Sequence, residues 1–169
     1  MFSKLLRFIP LLCLFCLPVN AAQRYPIPND IVISMQRGNC EGGCPVYRVV
    51  IFADGDVLWQ GIGHVAKRGA MQSHIEPDAI RSLINDFVAI DYFHLENIYS
   101  FHGAGCQSTE PDMPTVITSL SLDGEARTLS HHDGCVGEIS NKLKAIENKI
   151  DEAAKTAHWI TGKAHDQGR

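Results

Sequence analysis

Four cysteines in the middle and later parts of the chain constrain its fold more than any other feature of the sequence. They are Cys40, Cys44, Cys106 and Cys135. In an exported protein an even number of cysteines indicates disulfide bonds, and four cysteines can pair in three ways. Two further cysteines, Cys13 and Cys16, precede this set. Whether these cysteines form disulfides therefore depends on the cellular compartment, which the N-terminal segment predicts.

The first 21 residues have the pattern of a secretory signal peptide. Two basic residues precede an apolar run of ten over residues 8–17, and small residues then place a cleavage site after Ala21 or Ala22. Because a membrane-spanning helix needs about 20 apolar residues, this run is too short to be one. We therefore expect export to the periplasm or the extracellular space, with no stable membrane span after cleavage. Cleavage would also remove the first two cysteines.

The rest of the chain has the composition of a globular protein. Hydrophobic residues make up 45% of the sequence and charged residues 20%, which excludes a disordered chain or a polytopic membrane protein. We expect a single domain over residues 22–160 and a polar tail over 161–169. The formal net charge is −4, and loss of Lys4 and Arg7 with the signal peptide would make it −6. An acidic surface argues against nucleic acid as a partner, so an unknown protein or a small ligand is expected.

Two Asp-Gly pairs predict two β-hairpins. Asp54-Gly55 follows a run rich in β-branched residues, and Asp123-Gly124 follows a run in which apolar and polar residues alternate. Both pairs suit a type I′ turn, in which both central residues have positive φ. With further short strands beside the first hairpin, we expect an antiparallel sheet of about 5–6 strands. The expected strands cover residues 31–35, 46–52, 57–65, 71–75, 116–122 and 125–131.

Two segments have the periodicity of amphipathic helices. Pro77 suits the first position of a helix, and apolar residues three or four apart follow it over 77–90. A second apolar stripe over 136–157 includes Ile146, whereas Glu147 lies on a face that we expect to be solvated. The predicted fold is α+β, an antiparallel sheet of two hairpins with both helices packed on one face.

The run from Gly38 to Tyr47 resembles the signature of a known family. It contains C-E-G-G-C-P-V-Y, which is similar to the pattern C-x-G-x-C-P-x-Y of the family called domain of unknown function 6438. The later matching pieces are Asp54-Gly55, Cys106, Asp112-Met113-Pro114-Thr115 and Gly134-Cys135. The resemblance covers residues 31–150 and implies the family's fold and cysteine framework, but no activity.

Cys40 and Cys44 are the sharpest candidates for chemistry. A redox-active dithiol normally lies at a helix N-terminus, where the helix dipole lowers the pKa of the thiol. Here Pro45 and a strand follow, and three residues separate the cysteines instead of two. A structural disulfide is therefore the favoured interpretation, with metal binding and redox catalysis as the alternatives.

The expected disulfide pairing is Cys40–Cys44 and Cys106–Cys135. Two glycines between Cys40 and Cys44 allow a tight loop that brings their Cα atoms within bonding range. The second bridge would fasten the long irregular loop over residues 97–114 to the start of the last helix. Crossed pairings would close longer loops, so local geometry and not chain entropy decides the assignment.

His131 and His132 are the best candidates for acid–base chemistry. Neighbouring residues on a strand point to opposite faces, so the two histidines cannot serve one site, and we expect one to be packed and the other solvated. A mixed cysteine–histidine metal site that adds His102, His131 or His132 would need reduced cysteines, which export opposes. The glycines of Gly61-Ile62-Gly63 fit a β-bulge better than a phosphate-binding loop.

None of the familiar catalytic motifs is present, neither a nucleophile elbow, nor a zinc-protease helix, nor a P-loop, nor a dinucleotide-binding loop. We therefore expect no catalytic, cofactor or metal-binding residues. The favoured function is an exported, disulfide-stapled domain that binds a partner or ligand without catalysis, or that is structural. The alternative is an enzyme or metal-binding protein that uses the cysteine loops and His131 or His132.

Overall fold

The computed structural model describes residues 27–101, 103 and 105–163. The expected signal peptide and cleavage site, His102 and the tail beyond residue 163 lie outside these ranges. None of the described helices is long and apolar enough to cross a membrane.

The described residues form nine strands and three α-helices. The strands are β1 (Val32–Arg37), β2 (Val46–Phe52), β3 (Asp56–Gly63), β4 (Gly69–His74), β5 (Ile98–Tyr99), β6 (Ser108–Thr109), β7 (Thr115–Leu122), β8 (Glu125–His132) and β9 (Cys135–Val136). The helices are α1 (Pro77–Ala89), α2 (Glu138–Ala154) and α3 (Ala157–Thr161). A short 3-10 turn at Tyr92–His94 follows α1.

Seven of the strands form one sheet in the order β4-β3-β2-β1-β7-β8-β5, and β6 pairs separately with β9. All neighbours in the large sheet are antiparallel except β5, which runs parallel to β8. The predicted α+β class is therefore confirmed. The sheet has seven strands instead of the expected 5–6 because β5, a two-residue piece of the 97–114 loop, joins its edge.

The two Asp-Gly turns have different conformations. Asp123 and Gly124 have φ values of 53° and 80°, so this turn is the predicted type I′ turn. In the first hairpin only Gly55 has a positive φ, 94°, and the loop holds three residues instead of two. The Asp54 carboxylate accepts the Asp56 N–H at 3.0 Å and stabilises this longer loop. The prediction of a type I′ turn was wrong at this position.

A β-bulge distorts the pairing of β2 with β3. Tyr47 lies opposite Gly61 but Val46 lies opposite Gly63, so Ile62 is the extra residue. This confirms that the two glycines belong to a bulge.

The predicted helix over 136–157 is shorter in the structure. Val136 belongs to β9 because it pairs with Ser108, and α2 begins two residues later. At the other end Lys155 adopts a left-handed conformation with φ 54°, which stops α2 before α3 begins.

The helices cover one face of the sheet, the inner face. Every second residue of the central strands points inward and is buried, and Ile146 of α2 is only 3% exposed, as the apolar stripe predicts. Tyr47 stacks on Trp59 with ring centroids 4.3 Å apart, and Trp159 of α3 lies 5.2 Å from Trp59. The buried strand residues of this face are Ile33, Met35, Tyr47, Val49, Ile51, Val57, Trp59, Val116, Thr118, Leu120, Leu129 and His131.

Candidate functional site

Two disulfides join the four cysteines in the expected pairing. Cys40 bonds to Cys44 and closes the turn between β1 and β2, and Cys106 bonds to Cys135, with Cα–Cα distances of 5.3 Å in both bridges. Disulfide sulfurs are not the thiolates that bind zinc. Across the described ranges, no group of three or more His, Cys, Asp or Glu residues is placed to hold a metal ion.

The Cys106–Cys135 bridge fastens the 97–114 loop to the chain before α2. Beside it, Ser108 and Thr109 pair with β9, and the Glu110 N–H donates to the Gly134 carbonyl at 2.8 Å. A Cβ atom on Gly134 would lie 2.0 Å from the Glu110 carbonyl oxygen, so the close approach requires glycine here. The loop predicted to be irregular is therefore held by short strands as well as by the disulfide.

His131 and His132 lie on opposite faces of β8. His131 is on the inner face and fully buried. His132 is on the outer face and half-buried, where its Nδ1 accepts the Gly134 N–H at 3.1 Å and its ring meets Phe101 edge-on at 5.1 Å. No site can use both histidines.

Two residues of α2 bind the His131 ring, one at each nitrogen. Nδ1 lies 2.8 Å from Oε1 of Glu147, and Nε2 lies 2.7 Å from Oγ of Ser140. Ser140 in turn donates its hydroxyl to the Cys135 carbonyl at 2.6 Å. All three side chains are at most 1% exposed. We call His131, Ser140 and Glu147 the His131 cluster.

Ser140 was not predicted from the sequence, and the prediction that Glu147 lies on a solvated face was wrong. Glu147 is buried because it follows Ser140 by seven residues, two helical turns, so that both flank the apolar stripe on the side that packs on β8. Two patterns in the sequence indicate these residues. One is the seven-residue spacing of Ser140 and Glu147, and the other is the two-residue spacing of Leu129 and His131, which puts both on the same face of β8.

The His131 cluster has the connectivity of a serine–histidine–carboxylate relay. A relay acts only when the serine oxygen can reach a substrate and an oxyanion can be stabilised beside it. Ser140 is fully buried, and its hydroxyl proton is already donated to a backbone carbonyl. In this conformation the cluster therefore orients α2 on β8 and offers no nucleophile to a substrate.

The sequence model of a family described as Domain of unknown function (DUF6438) matches residues 31–154. The chain belongs to the DUF6438 family. The match runs from the start of β1 to the end of α2, so both disulfides and the His131 cluster lie inside the DUF6438 region. No curated protein matches this chain.

A second polar group, the Arg37 cluster, holds the C-terminal half of α2 in this DUF6438 domain. Arg37 Nε donates to the Tyr47 hydroxyl at 3.0 Å and to Asp151 at 2.9 Å. Asp151 also accepts the hydroxyls of Tyr47 and Thr156, at 2.5 and 2.8 Å. Burial and the Asp151 carboxylate raise the pKa of Tyr47 well above its usual value. Because these groups bind one another, this cluster is also structural.

The outer face of the DUF6438 sheet has no covering layer among the described residues. Leu58 and Ile117 are 40% and 39% exposed there. A shallow depression of about 680 Å³ lies over β1 to β4, with apolar side chains, glutamines and Arg48 around it. Within the described chain the Arg48 side chain makes no hydrogen bond or ion pair. The outward residues that line it are Val32, Arg48, Val50, Phe52, Leu58, Gln60, Ala70 and Gln72.

Proposed function

We propose that this DUF6438 domain is an exported, disulfide-stabilised binding domain, and that the outer face of its sheet binds a protein partner. The observation that carries the proposal is a charged side chain without a partner in the described chain, on an exposed and partly apolar sheet face. The His131 and Arg37 clusters bind their own chain, whereas Arg48 is unpaired among half-exposed apolar side chains. A surface of this kind gains free energy when a partner covers it.

Export to the periplasm or the extracellular space is supported by two features. The disulfides of the structure are typical of proteins that fold in an oxidising compartment. The N-terminal pattern of basic start, short apolar run and small residues is typical of a cleaved signal peptide.

The chemistry of the outer face indicates the kind of partner. Apolar side chains of β1, β2 and β3 would pack against apolar side chains, and the Arg48 guanidinium would pair with a carboxylate. The amides of Gln60 and Gln72 can bind backbone groups. We therefore propose a partner surface in which apolar side chains surround at least one Asp or Glu.

An enzyme remains the second candidate because of the relay connectivity of the His131 cluster. It would require a movement of α2 that brings Ser140 to the surface. A fluorophosphonate probe, which reacts with activated serines, tests it directly. We expect no labelling of Ser140 in the folded protein, and stoichiometric labelling there would replace the binding proposal with a hydrolase.

Site-specific photo-crosslinking in the exporting cells tests the binding proposal. A photoreactive residue replaces Leu58 on the outer face or, as the matched control, Val88 on α1, which is 60% exposed. We expect one adduct of defined mass from position 58 and none from position 88. The charge reversal Arg48→Glu should reduce the yield at position 58 at least about tenfold, the effect of losing roughly 1.4 kcal/mol of binding free energy.

Two results would overturn the proposal. One is equal crosslinking at both positions, because that would reflect general stickiness of exposed apolar side chains. The other is an adduct at position 58 whose yield Arg48→Glu leaves unchanged, since the guanidinium would then have no part in binding.

A further inference from the structure

We infer that the His131 cluster is a buried proton-binding site. In the folded domain the pair of His131 and Glu147 holds one proton more than a neutral imidazole and an ionised carboxylate would carry. This inference is independent of the binding role of the outer face. It follows from the number of protons that the hydrogen bonds of the cluster require.

Three consecutive hydrogen bonds link the Glu147 carboxyl group to the Cys135 carbonyl oxygen. They join Oε1 of Glu147 to Nδ1 of His131 at 2.8 Å, Nε2 of His131 to Oγ of Ser140 at 2.7 Å, and Oγ to the carbonyl at 2.6 Å. Each short contact needs one proton between its two electronegative atoms. The chain of bonds therefore needs three protons.

The carbonyl at the end fixes the direction of the other bonds. A carbonyl oxygen only accepts, so the single hydroxyl proton of Ser140 lies between Oγ and the Cys135 carbonyl. Nε2 of His131 must then carry the proton of the second bond. The contact between Nδ1 and Glu147 needs another proton, which is bound to one of these two groups.

If the cluster held one proton fewer, one of the three contacts would have no proton between its two atoms. If Ser140 turned its hydroxyl to Nε2, two oxygen atoms would face each other at 2.6 Å without a proton. If Nε2 kept its proton and Nδ1 lost one, a nitrogen lone pair would face the Glu147 carboxylate at 2.8 Å. Both arrangements are repulsive in a site that water does not screen.

Charged and titratable groups surround the cluster, and one carboxyl oxygen of Glu147, Oε2, is buried without a hydrogen-bond partner among the described residues. Arg37 from β1 attracts it, although Arg37 is also paired with Asp151 one turn along α2. Arg127 of β8 lies nearby and donates to a backbone carbonyl. Burial raises the pKa of Tyr92 to about 12, so this neighbour is uncharged at neutral pH. The proton of the first bond therefore belongs to the pair of Oε1 and Nδ1 as a whole.

The extra proton couples folding to pH. In the unfolded chain, above about pH 6.5, a histidine is neutral and a glutamate is ionised. The folded domain then binds one proton more than the unfolded chain, so stability falls as the pH rises. The equilibrium constant for unfolding should increase about tenfold per pH unit while the folded cluster keeps its proton.

Denaturant unfolding of the disulfide-intact protein at pH 7, 8 and 9 measures this dependence. We expect about a tenfold increase in the unfolding constant per unit in the wild type. Glu147→Gln cannot form the charged pair and should flatten the dependence. The matched control Glu152→Gln, on an exposed position of the same helix, should keep it. A flat dependence in the wild type, or an equal slope in Glu147→Gln, would overturn the inference.

The protonation of the ring can also be observed in the folded wild type, which avoids variants that fail to fold. Nitrogen-15 NMR of the His131 ring at pH 8 should show a proton on Nε2 and a second proton bound to Nδ1 or donated to it by Glu147. A ring with an unprotonated Nε2 would contradict the inference, because Ser140 would then be the donor to histidine.

Discussion

His131 and His132 are neighbours in β8, yet they lie on faces of the sheet with opposite properties. The inner face surrounds His131 with a carboxyl group and a hydroxyl, and the residue is fully buried. The outer face leaves His132 half-buried and Arg48 unpaired. One strand therefore contributes one histidine to a buried hydrogen-bonded cluster and the next to an exposed face of the sheet.

This contrast explains why residue type alone is a poor guide to function in this domain. Histidine, serine and glutamate are the residues of a catalytic relay, but in the His131 cluster they hold α2 against β8. Leucine, isoleucine and arginine are unremarkable in a sequence, but on the outer face they form the surface that we propose binds a partner.

The largest effect should come from breaking the inner cluster. Glu147→Ala leaves the His131 ring without its buried carboxylate, and removing one member of a buried pair costs about 3–5 kcal/mol. Denaturant titration at pH 7 measures the loss in free energy of unfolding. Glu152→Ala, at an exposed position of α2, should change the same quantity by less than about 0.5 kcal/mol. Equal losses in the two variants would show that Glu147 does not anchor α2.

The Cys106–Cys135 disulfide, which lies beside the inner cluster, should stabilise the domain more than the Cys40–Cys44 disulfide does. Their cysteines are 29 and 4 residues apart, and chain entropy gives about 3.5 kcal/mol for Cys106–Cys135 and about 2 kcal/mol for Cys40–Cys44. Paired Cys→Ser variants, compared by thermal unfolding, should follow that order. A larger loss for the short bridge would mean that the turn between β1 and β2 contributes more to stability than the 97–114 loop.

The sequence predicted most of the fold because local patterns carry the information. Alternating residues in β7 and the Asp123-Gly124 pair define the second hairpin, and the apolar stripe of α2 defines the face that it buries. The missed strand β5 has only two residues and joins the sheet through a distant partner, β8. No periodicity can develop over two residues, so local patterns could not reveal it.

The candidate sites were harder to predict for a related reason. Glu147 carries a charge and was assigned to the solvated side of α2, because the expectation considered each helix position by itself. Its burial depends on His131, a residue 16 positions earlier on another element. The opposite orientation of the two histidines was predictable, since it follows from strand geometry alone. The partner of the inner histidine requires knowledge of how α2 crosses β8.

The smallest effect on stability should come from a substitution on the outer face of the sheet. Ile117 lies opposite Gln36 of β1 and Ser130 of β8 and is 39% exposed. Ile117→Thr keeps the β-branch that suits a strand and replaces only a half-exposed ethyl group with a hydroxyl. We expect a loss of less than about 1 kcal/mol in denaturant titration, because little apolar area leaves a buried site. The same variant should weaken crosslinking at position 58, since it removes apolar surface that a partner would cover. A loss as large as that of Glu147→Ala would mean that Ile117 is already packed within its own chain, and the outer face would then be no freer to bind a partner than the inner one.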